Sequence, residues 1–271
     1  MDSQLVVGID VGGQTSKLGV VDARGTVLAQ TVIRTDTYSE VEPYIAELAE
    51  AVKKIIKEAG AEGKVRGIGV GAPNGNYYTG TIENAPNLPW GHSGVVEFAK
   101  LLSEAMDGLP VALTNDANAA AVGEMTYGAA RGMKNFIMIT LGTGVGSGIV
   151  INGEVVYGHD GFAGEVGHII VERRDGRQCG CGRKGCLERY ASSKGVRYTA
   201  LELLENSNEP SKLRGIPADE LTSRDVAYAA KQGDAIAKKT FEITGEYLGY
   251  ALANLVAVSS PEAIFLCGGV A

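Results

Sequence analysis

Three of the four cysteines in the chain lie within eight positions, and no other stretch restricts the local fold so strongly. Cys179, Cys181 and Cys186 follow the pattern C-x-C-x4-C with a glycine beside each cysteine, and His168 lies eleven residues upstream. Three thiolates and one imidazole fill a tetrahedral zinc shell and leave no position for water. The spacing therefore predicts a structural zinc site. Reduced cysteines in a glycine-rich loop, or a disulfide between two of them, are the alternatives.

Two glutamates bracket this cluster, Glu165 before it and Glu188 after it. Carboxylates on a loop stiffened by a metal are good hydrogen-bond acceptors for the hydroxyls of a polyol. Their positions suggest a role in polyol binding, and ordinary solvated surface charge is the alternative.

Composition and charge exclude several classes of partner. The chain of 271 residues is long enough for about two domains, and its formal net charge of -7 argues against a nucleic-acid surface, which is usually basic. The first residues lack the regions of a signal peptide, and no apolar run reaches the roughly eighteen residues of a membrane span. Charge and hydropathy therefore predict neither nucleic acid nor a membrane as a partner. Cysteines in metal-like spacing without an export signal predict a reducing cytoplasm.

Two parts of the chain repeat the order strand, glycine-rich turn, strand, glycine turn, strand. In the first part, a buried strand ends at Asp10 and is followed by Gly12 and Gly13. In the second part, which begins at Asn135, a strand is followed by Leu-Gly-Thr-Gly-Val-Gly at residues 141–146. Backbone N–H groups in such turns can bind phosphate. This weak internal repeat predicts two turns that hold the two ends of a polyphosphate.

An acidic residue follows the strand predicted over residues 110–114. That strand delivers Asn115 and Asp116 at its carboxyl end, where open α/β sheets place their ligands. Because an alanine-rich helix is predicted over residues 117–127, Asp116 is a candidate N-cap of that helix as well as a candidate general base. Local sequence alone favours the cap, since capping aspartates far outnumber catalytic ones.

The helices have start and stop signals. Ser39 and Glu42 form a predicted capping box, and Gly60 ends the helix that they open. A second helix is predicted over residues 95–106. Trp90, in the loop before it, is more often a core anchor than a ligand contact.

The last part of the chain is mainly helical. Thr222 is predicted to cap one helix, and the apolar stripe of a long helix at residues 235–258 fits a core or a dimer interface. Cys267 lies in an apolar strand and is expected to be inert. The sequence stops after Gly268 and Gly269, where a further helix would be expected, so we predict that the chain is truncated.

Five segments of the chain form a recognisable set. They are Gly-Ile-Asp-Val-Gly-Gly (8–13), Asn-Asp-Ala-Asn-Ala (115–119), Leu-Gly-Thr-Gly-Val-Gly (141–146), Gly-Glu-Val-Gly-His (164–168) and the cysteine-rich stretch 179–188. Together, and in this order along the whole chain, they resemble the ROK family of bacterial glucokinases, fructokinases, amino-sugar kinases and sugar-responsive repressors. The cysteine-rich stretch with its preceding Gly-Glu-x-Gly-His is highly specific, whereas the glycine turns alone are not.

The resemblance implies an α/β fold of the actin-like and hexokinase-like (ribonuclease H-like) type, with two domains and the active site in the cleft between them. We expect a small N-terminal α/β domain over residues 1–116 and a larger α/β domain with the zinc-binding loop over residues 117–271. The implied activity is transfer of the γ-phosphoryl group of ATP to a hexose hydroxyl with Mg²⁺, most like a glucokinase that forms glucose 6-phosphate. A homodimer or homotetramer is expected.

The resemblance also implies roles for single residues. Asp116 resembles the catalytic base of the family, and Asp10 lies where the Mg²⁺ shell is organised. The implied sugar ligands are Asn87, Asn115, Glu165, His168 and Glu188, with His168 offering one ring nitrogen to zinc and the other to the sugar. The implied phosphate and nucleotide contacts are Gly12, Gly13, Gln14, Thr143, Gly144, Gly268 and Gly269. Gln14 departs from the family, which usually has Thr there, although Gln can still donate to a phosphate oxygen.

Other functions stay open at this point. A fructokinase or an N-acetyl amino-sugar kinase would use the same carboxylates, and polyphosphate could replace ATP as the donor. A sugar-responsive repressor would carry a basic helix-turn-helix before the first strand, and no room for one is expected because that strand begins at Leu5. A non-catalytic sugar sensor would need no base, so Asp116 argues against it.

Overall fold

The computed structural model describes residues 4–271, and these divide into two compact units. The first comprises residues 4–133 together with Val155–Ala163. The second comprises Lys134–Glu154 and Gly164–Ala271. The boundary thus lies after Met133 rather than after Asp116, because the helix that Asp116 begins packs on strands of the first unit.

The first unit is built on a mixed sheet covered by helices. Its strands are β1 (Leu5–Val11), β2 (Thr15–Asp22), β3 (Val27–Arg34), β4 (Val65–Ala72), β5 (Gly75–Asn76), β6 (Thr81–Glu83), β7 (Val95–Val96) and β8 (Val111–Asn115). Its helices are α1 (Val41–Glu58), α2 (Phe98–Ala105) and α3 (Asp116–Tyr127). The main sheet has the order β3-β2-β1-β4-β8, in which β1 to β3 form an antiparallel meander and β4 and β8 run parallel to β1. The short strands β5, β6 and β7 form a separate antiparallel sheet.

Helix α1 begins one residue later than the capping box predicts. Its N-cap is Glu40, which makes no side-chain cap bond, so the Ser39–Glu42 box is wrong. The reason is Pro43, which has no backbone N–H. With Ser39 as N-cap, Pro43 would occupy the position that donates the first intrahelical hydrogen bond, whereas with Glu40 as N-cap it occupies a position that has no such partner. The helix ends at Glu58, just before Gly60, as predicted.

Trp90 is part of the core of the first unit. It is 7 % exposed, and its ring stacks on Tyr44 at 4.8 Å between centroids and on Phe98 at 5.8 Å. The prediction of a core anchor is confirmed. The helix predicted from residue 95 begins only at Phe98, because the β-branched pair Val95–Val96 instead pairs with β6.

The second unit repeats the meander of the first. Its strands are β9 (Phe136–Leu141), β10 (Val145–Ile151), β11 (Glu154–Val155) and β12 (Ala263–Cys267), in the order β11-β10-β9-β12. Its helices are α4 (Glu188–Ala191), α5 (Ser193–Glu205), α6 (Ser223–Lys231) and α7 (Ala235–Ser259). β12 runs parallel to β9, the first strand of this meander, just as β4 runs parallel to β1 in the first unit. The topology confirms the internal repeat.

Helix signals in the second unit are confirmed. Thr222 and Asp225 form a capping box at the start of α6, and α7 covers nearly the predicted range. Residues 4–271 contain no helix with the length and apolar character needed to cross a membrane.

Candidate active site and zinc cluster

Asp10 and Asp116 lie at the same edge of the first sheet. β1, β4 and β8 are parallel neighbours, and their register pairs Asp10 with Gly71 and Ala72 with Asn115. The carboxyl ends of these strands therefore meet, as the sequence predicts. Both aspartate side chains are exposed.

Asn115, and not Asp116, is the N-cap of α3. Its Oδ1 accepts a hydrogen bond from the backbone N–H of Ala117 at 2.9 Å, and Asp116 is the first helical residue. The N-cap reading of Asp116 is thus wrong by one position, since the neighbouring amide takes the role that the aspartate was expected to have. The side-chain amide of Asn115 keeps its N–H₂ donors for another partner.

The surroundings of Asp116 favour a proton-accepting role. Although the side chain has exposed area, the protein around it desolvates the carboxyl and raises its pKa. A hydrogen bond from the Ala117 N–H lowers the pKa, and the negative charge of Asp10 raises it again, so that the net direction is upward. A carboxylate with a raised pKa is a stronger base than an ordinary one.

The first glycine turn contacts the loop that contains Asn87. The Gly12 N–H donates to the Thr15 oxygen at 3.1 Å, which closes the turn. A Cβ at Gly13 would lie only 2.8 Å from the backbone oxygen of Asn87, so this position has no room for a side chain. Gln14 is exposed, and its backbone oxygen accepts from the Thr35 N–H at 2.9 Å. The structure thus brings a predicted sugar residue next to a predicted phosphate turn.

The second glycine turn, residues 142–144, is fixed from two sides. The Ser193 N–H, at the start of α5, donates to the Gly142 oxygen at 2.8 Å. Glu188 Oε2 accepts from the Val145 N–H at 3.1 Å. A Cβ at Gly144 would lie 2.5 Å from the same carboxylate oxygen. Thr143, at the tip of the turn, is exposed.

The C-terminal glycines adjoin this second turn. Gly268 directly follows β12, and the Val270 N–H donates to the Leu141 oxygen at 3.1 Å. Thr143, Gly144, Gly268 and Gly269 therefore gather at the carboxyl ends of β9 and β12, where the resemblance predicts nucleotide contacts.

Glu165 is the central residue of a tight turn. The Val166 N–H donates to the Gly164 oxygen at 2.7 Å, and Glu165 has φ -70° and ψ 61°. These are the dihedrals of an inverse γ-turn. His168 follows in a short 3₁₀ turn, Val166–His168, and is half-buried.

The cysteine-rich stretch forms a cluster with the geometry of a zinc shell. The ligand atoms of His168, Cys179, Cys181 and Cys186 all lie within 4.8 Å of one another. Cys179 Sγ is 3.7 Å from His168 Nδ1, and Cys181 Sγ is 3.6 Å from Cys186 Sγ. Tetrahedral zinc with bonds of about 2.3 Å to sulfur requires ligand separations of roughly 3.5–3.8 Å. The four residues fit the ion.

The thiols of the cluster do not ionise together readily. Burial raises the pKa of the Cys181 thiol, but hydrogen bonds from Arg183 and the neighbouring thiols outweigh it and lower the pKa to about 6. Burial and the neighbouring thiols raise the pKa of Cys186 to about 12. A central cation would stabilise the further thiolates. The Cys181 and Cys186 sulfurs are 3.6 Å apart and are not joined by a disulfide, whose bond measures about 2.05 Å.

Three supporting residues have no signal in the sequence. Ser147 bonds both ends of the turn at Glu165. Asn76 donates to the Asp160 oxygen at 2.9 Å and so holds the segment Val155–Ala163. Arg177 lies over the Tyr190 ring, 4.5 Å from its centroid, and donates to the oxygens of neighbouring helices. Each is a polar residue whose partner is distant in sequence or in a loop, so no local pattern marks it.

A family model described as the ROK family matches residues 6–271. The chain belongs to the ROK family. A glucokinase of Halalkalibacterium halodurans is 39 % identical to this ROK chain over 100 % of the chain and 82 % of its own length.

Two solved structures show the same fold. The ROK hexokinase from Thermus thermophilus is 34 % identical with a TM-score of 0.82, over 98 % of this chain and 82 % of its own. A ROK family glucokinase from Streptomyces griseus in complex with glucose and AMPPNP is 34 % identical with a TM-score of 0.76, over 98 % of this chain and 83 % of its own. The ROK chain therefore has the hexokinase-like α/β fold that the resemblance implies.

Proposed function

We propose that this ROK protein is an ATP-dependent hexose kinase and that glucose is its preferred substrate, phosphorylated to glucose 6-phosphate. The observation that supports this most strongly is Asp116. Its helix is capped by Asn115, its pKa is raised, and it lies at the same carboxyl edge of the sheet as Asp10. Relatives described as glucokinases, and one structure in complex with glucose and AMPPNP, support glucose as the substrate and ATP as the donor.

Asp116 would act as the general base. The sugar hydroxyl oxygen attacks the γ-phosphorus of ATP, the bond to the bridging oxygen of the β-phosphate breaks, and ADP leaves with that electron pair. The hydroxyl proton passes to the Asp116 carboxylate as the transfer completes. Asp116 also orients the hydroxyl before the reaction, because an ionised carboxylate accepts its hydrogen bond.

The sugar ligands are proposed from the resemblance and from side-chain groups that can form hydrogen bonds with sugar hydroxyls. In the first unit, these are Asn87 and the side-chain N–H₂ of Asn115. In the second unit, they are Glu165, His168 and Glu188. The Nδ1 of His168 lies on the side of the cysteines, so its Nε2 is the nitrogen that would contact the sugar.

The glycine turns would bind the nucleotide through backbone N–H groups. Gly12, Gly13 and Gln14 form one turn and Thr143 and Gly144 the other, with Gly268 and Gly269 toward the adenosine. Mg²⁺ bound with ATP would neutralise charge on the transferring phosphoryl group. Asp10 fits its shell, since an exposed carboxylate is a ligand that Mg²⁺ prefers.

We also propose that zinc in the Cys₃His cluster is structural. Four protein ligands leave no position for a substrate. Clustered thiols favour a reducing cytoplasmic location. A homodimer or homotetramer, measurable by light scattering, is our proposal for the assembly.

A coupled assay tests the proposed function. ADP release is measured with glucose, mannose, fructose and N-acetylglucosamine, and the reaction lacking sugar is the control. In a second assay, polyphosphate replaces ATP and the sugar phosphate is detected by mass spectrometry. We expect the highest kcat/KM with glucose and ATP. Tight binding of a hexose without phosphorylation of any of them would instead favour a sugar-responsive regulator of the same family.

A further inference from the structure

The γ-turn at Glu165 lies against strand β10. The turn is the point from which the Glu165 carboxylate projects, and its shape depends on Gly164, whose φ of +89° disfavours any residue with a side chain. Such a turn has one internal hydrogen bond, between the Val166 N–H and the Gly164 oxygen. On the C-terminal side of the turn, the Glu165 oxygen accepts a hydrogen bond from the His168 N–H at 3.0 Å.

Ser147 adds two further bonds to the same turn. Its hydroxyl donates to the Gly164 oxygen and accepts from the Val166 N–H at 3.0 Å. One hydroxyl thus bridges the backbone groups on either side of Glu165. Ser147 is 7 % exposed and belongs to β10, whose neighbours in the sheet hold it in register, so the bridge starts from a rigid element.

The same strand also contacts the second predicted sugar carboxylate of this unit. The Val145 N–H, two residues before Ser147, donates to Glu188 Oε2 at 3.1 Å. Val145 and Ser147 therefore connect the two glutamates to one strand, directly after the Thr143–Gly144 turn.

We propose that Ser147 is a positioning residue for sugar binding, which fixes the backbone of Glu165 so that its carboxylate meets the sugar hydroxyls in one orientation. This inference rests on the proposed function, in which Glu165 is a sugar ligand. Ser147 itself touches no substrate. Its effect belongs in sugar affinity, because the base, Asp116, and the phosphate turn keep their own contacts when the hydroxyl is removed.

Ser147→Ala tests the proposal in the zinc-loaded full chain. Loss of the hydroxyl should raise the glucose KM by about three- to tenfold, roughly the effect of losing one to two net hydrogen bonds. The kcat and the ATP KM should stay within about twofold. Hydrogen exchange followed by mass spectrometry should show faster exchange at the Val166 amide. Ser147→Cys, of similar volume and with a weak donor, should give an intermediate KM and replaces the alanine variant if that one does not fold.

Ser16→Ala is the matched control. Ser16 is also a buried strand serine whose hydroxyl makes two hydrogen bonds, to Thr35 Oγ1 at 2.8 Å and to the Tyr44 hydroxyl at 2.7 Å. A loss of stability in both variants, with a raised glucose KM only in Ser147→Ala, is the expected result. If the unmodified enzyme is active and the two variants have equal glucose KM values, the role of Ser147 is overturned and the proposed function still stands. An unmodified protein that neither binds nor phosphorylates any hexose would overturn the proposed function and this inference with it.

Discussion

Glu188 accepts a hydrogen bond from the backbone N–H of Val145 at 3.1 Å, and this bond connects the helix that follows the Cys₃His cluster to the strand that follows the second glycine turn. Gly144 is so close that a Cβ there would lie 2.5 Å from the same oxygen. One carboxylate oxygen is thereby used inside the protein. The other oxygen is the one that would accept from a sugar hydroxyl.

Glu188 variants should separate these two uses. In Glu188→Gln, the amide oxygen can still accept from Val145, but the negative charge and one acceptor for the sugar are lost. We expect the glucose KM to rise by about tenfold or more, in line with a hydrogen bond to a charged group, and the ATP KM to change little. Glu188→Ala leaves the Val145 N–H without this acceptor, so both KM values should rise. Steady-state kinetics with each substrate varied would contradict the account if Gln raised the ATP KM as much as Ala does.

Cys181→Ser should release the metal. Elemental analysis of the unmodified protein should find about one zinc per chain, and the serine variant should bind it much more weakly, because a hydroxyl is a poor zinc ligand beside a thiolate. The melting temperature should fall and the glucose KM should rise, since Glu188 follows Cys186 by two residues. Cys267→Ser is the matched control, because Cys267 lies in β12 and outside the cluster. A zinc-free protein with full activity would remove zinc from this account.

The sequence predicts most of the strands and helices because their signals are local. The apolar run of β1 places Leu5, Val7, Ile9 and Val11 in the core, and Thr222 caps α6 as predicted. Two errors are also local. Pro43 shifts the start of α1, and the Val95–Val96 pair joins a small sheet instead of a helix.

The candidate site also contains residues that local sequence predicts and residues that it cannot predict. Spacing alone predicts the four residues of the Cys₃His cluster, and the structure brings their ligand atoms together. The cap of α3 is displaced by one residue, because Asn and Asp cap about equally well and only the backbone decides between neighbours. Ser147 could not be predicted, since its partners lie 17 and 19 residues away in a loop that no periodic pattern describes.

The pH dependence of kcat/KM for glucose should report the Asp116 carboxyl. The base must be ionised, so activity should fall as the pH falls through its pKa. Because burial and the charge of Asp10 raise this pKa, the acid limb should lie above the pH of about 4 at which an ordinary aspartate titrates. In Asp10→Asn, the residual activity should show the limb at lower pH, because the repelling charge is gone. An acid limb at the ordinary aspartate pKa in the unmodified enzyme would contradict the claim that the surroundings of Asp116 raise its pKa.

Asp116→Asn should separate stability from catalysis. The raised pKa means that the folded state binds the Asp116 proton more tightly than the unfolded state does. The free energy of unfolding therefore falls as the pH rises from the unfolded pKa to the folded one, and above both values the charged form costs stability. The asparagine variant, which has no such charge, should be at least as stable as the unmodified protein at pH 7. Asn115→Ala, which removes the N-cap of α3, should instead lose about 1 kcal/mol. Thermal melts of both variants check this contrast.

The most direct test of the account is the kcat of Asp116→Asn with glucose and ATP. The substitution keeps the shape of the side chain and removes its ability to accept the hydroxyl proton. We predict that kcat falls by about 10²–10⁴, the usual effect of removing a general base, while calorimetry shows glucose still bound and the melt shows no loss of stability. Near-normal turnover in this variant would contradict the central claim, because Asp116 could then not be the base.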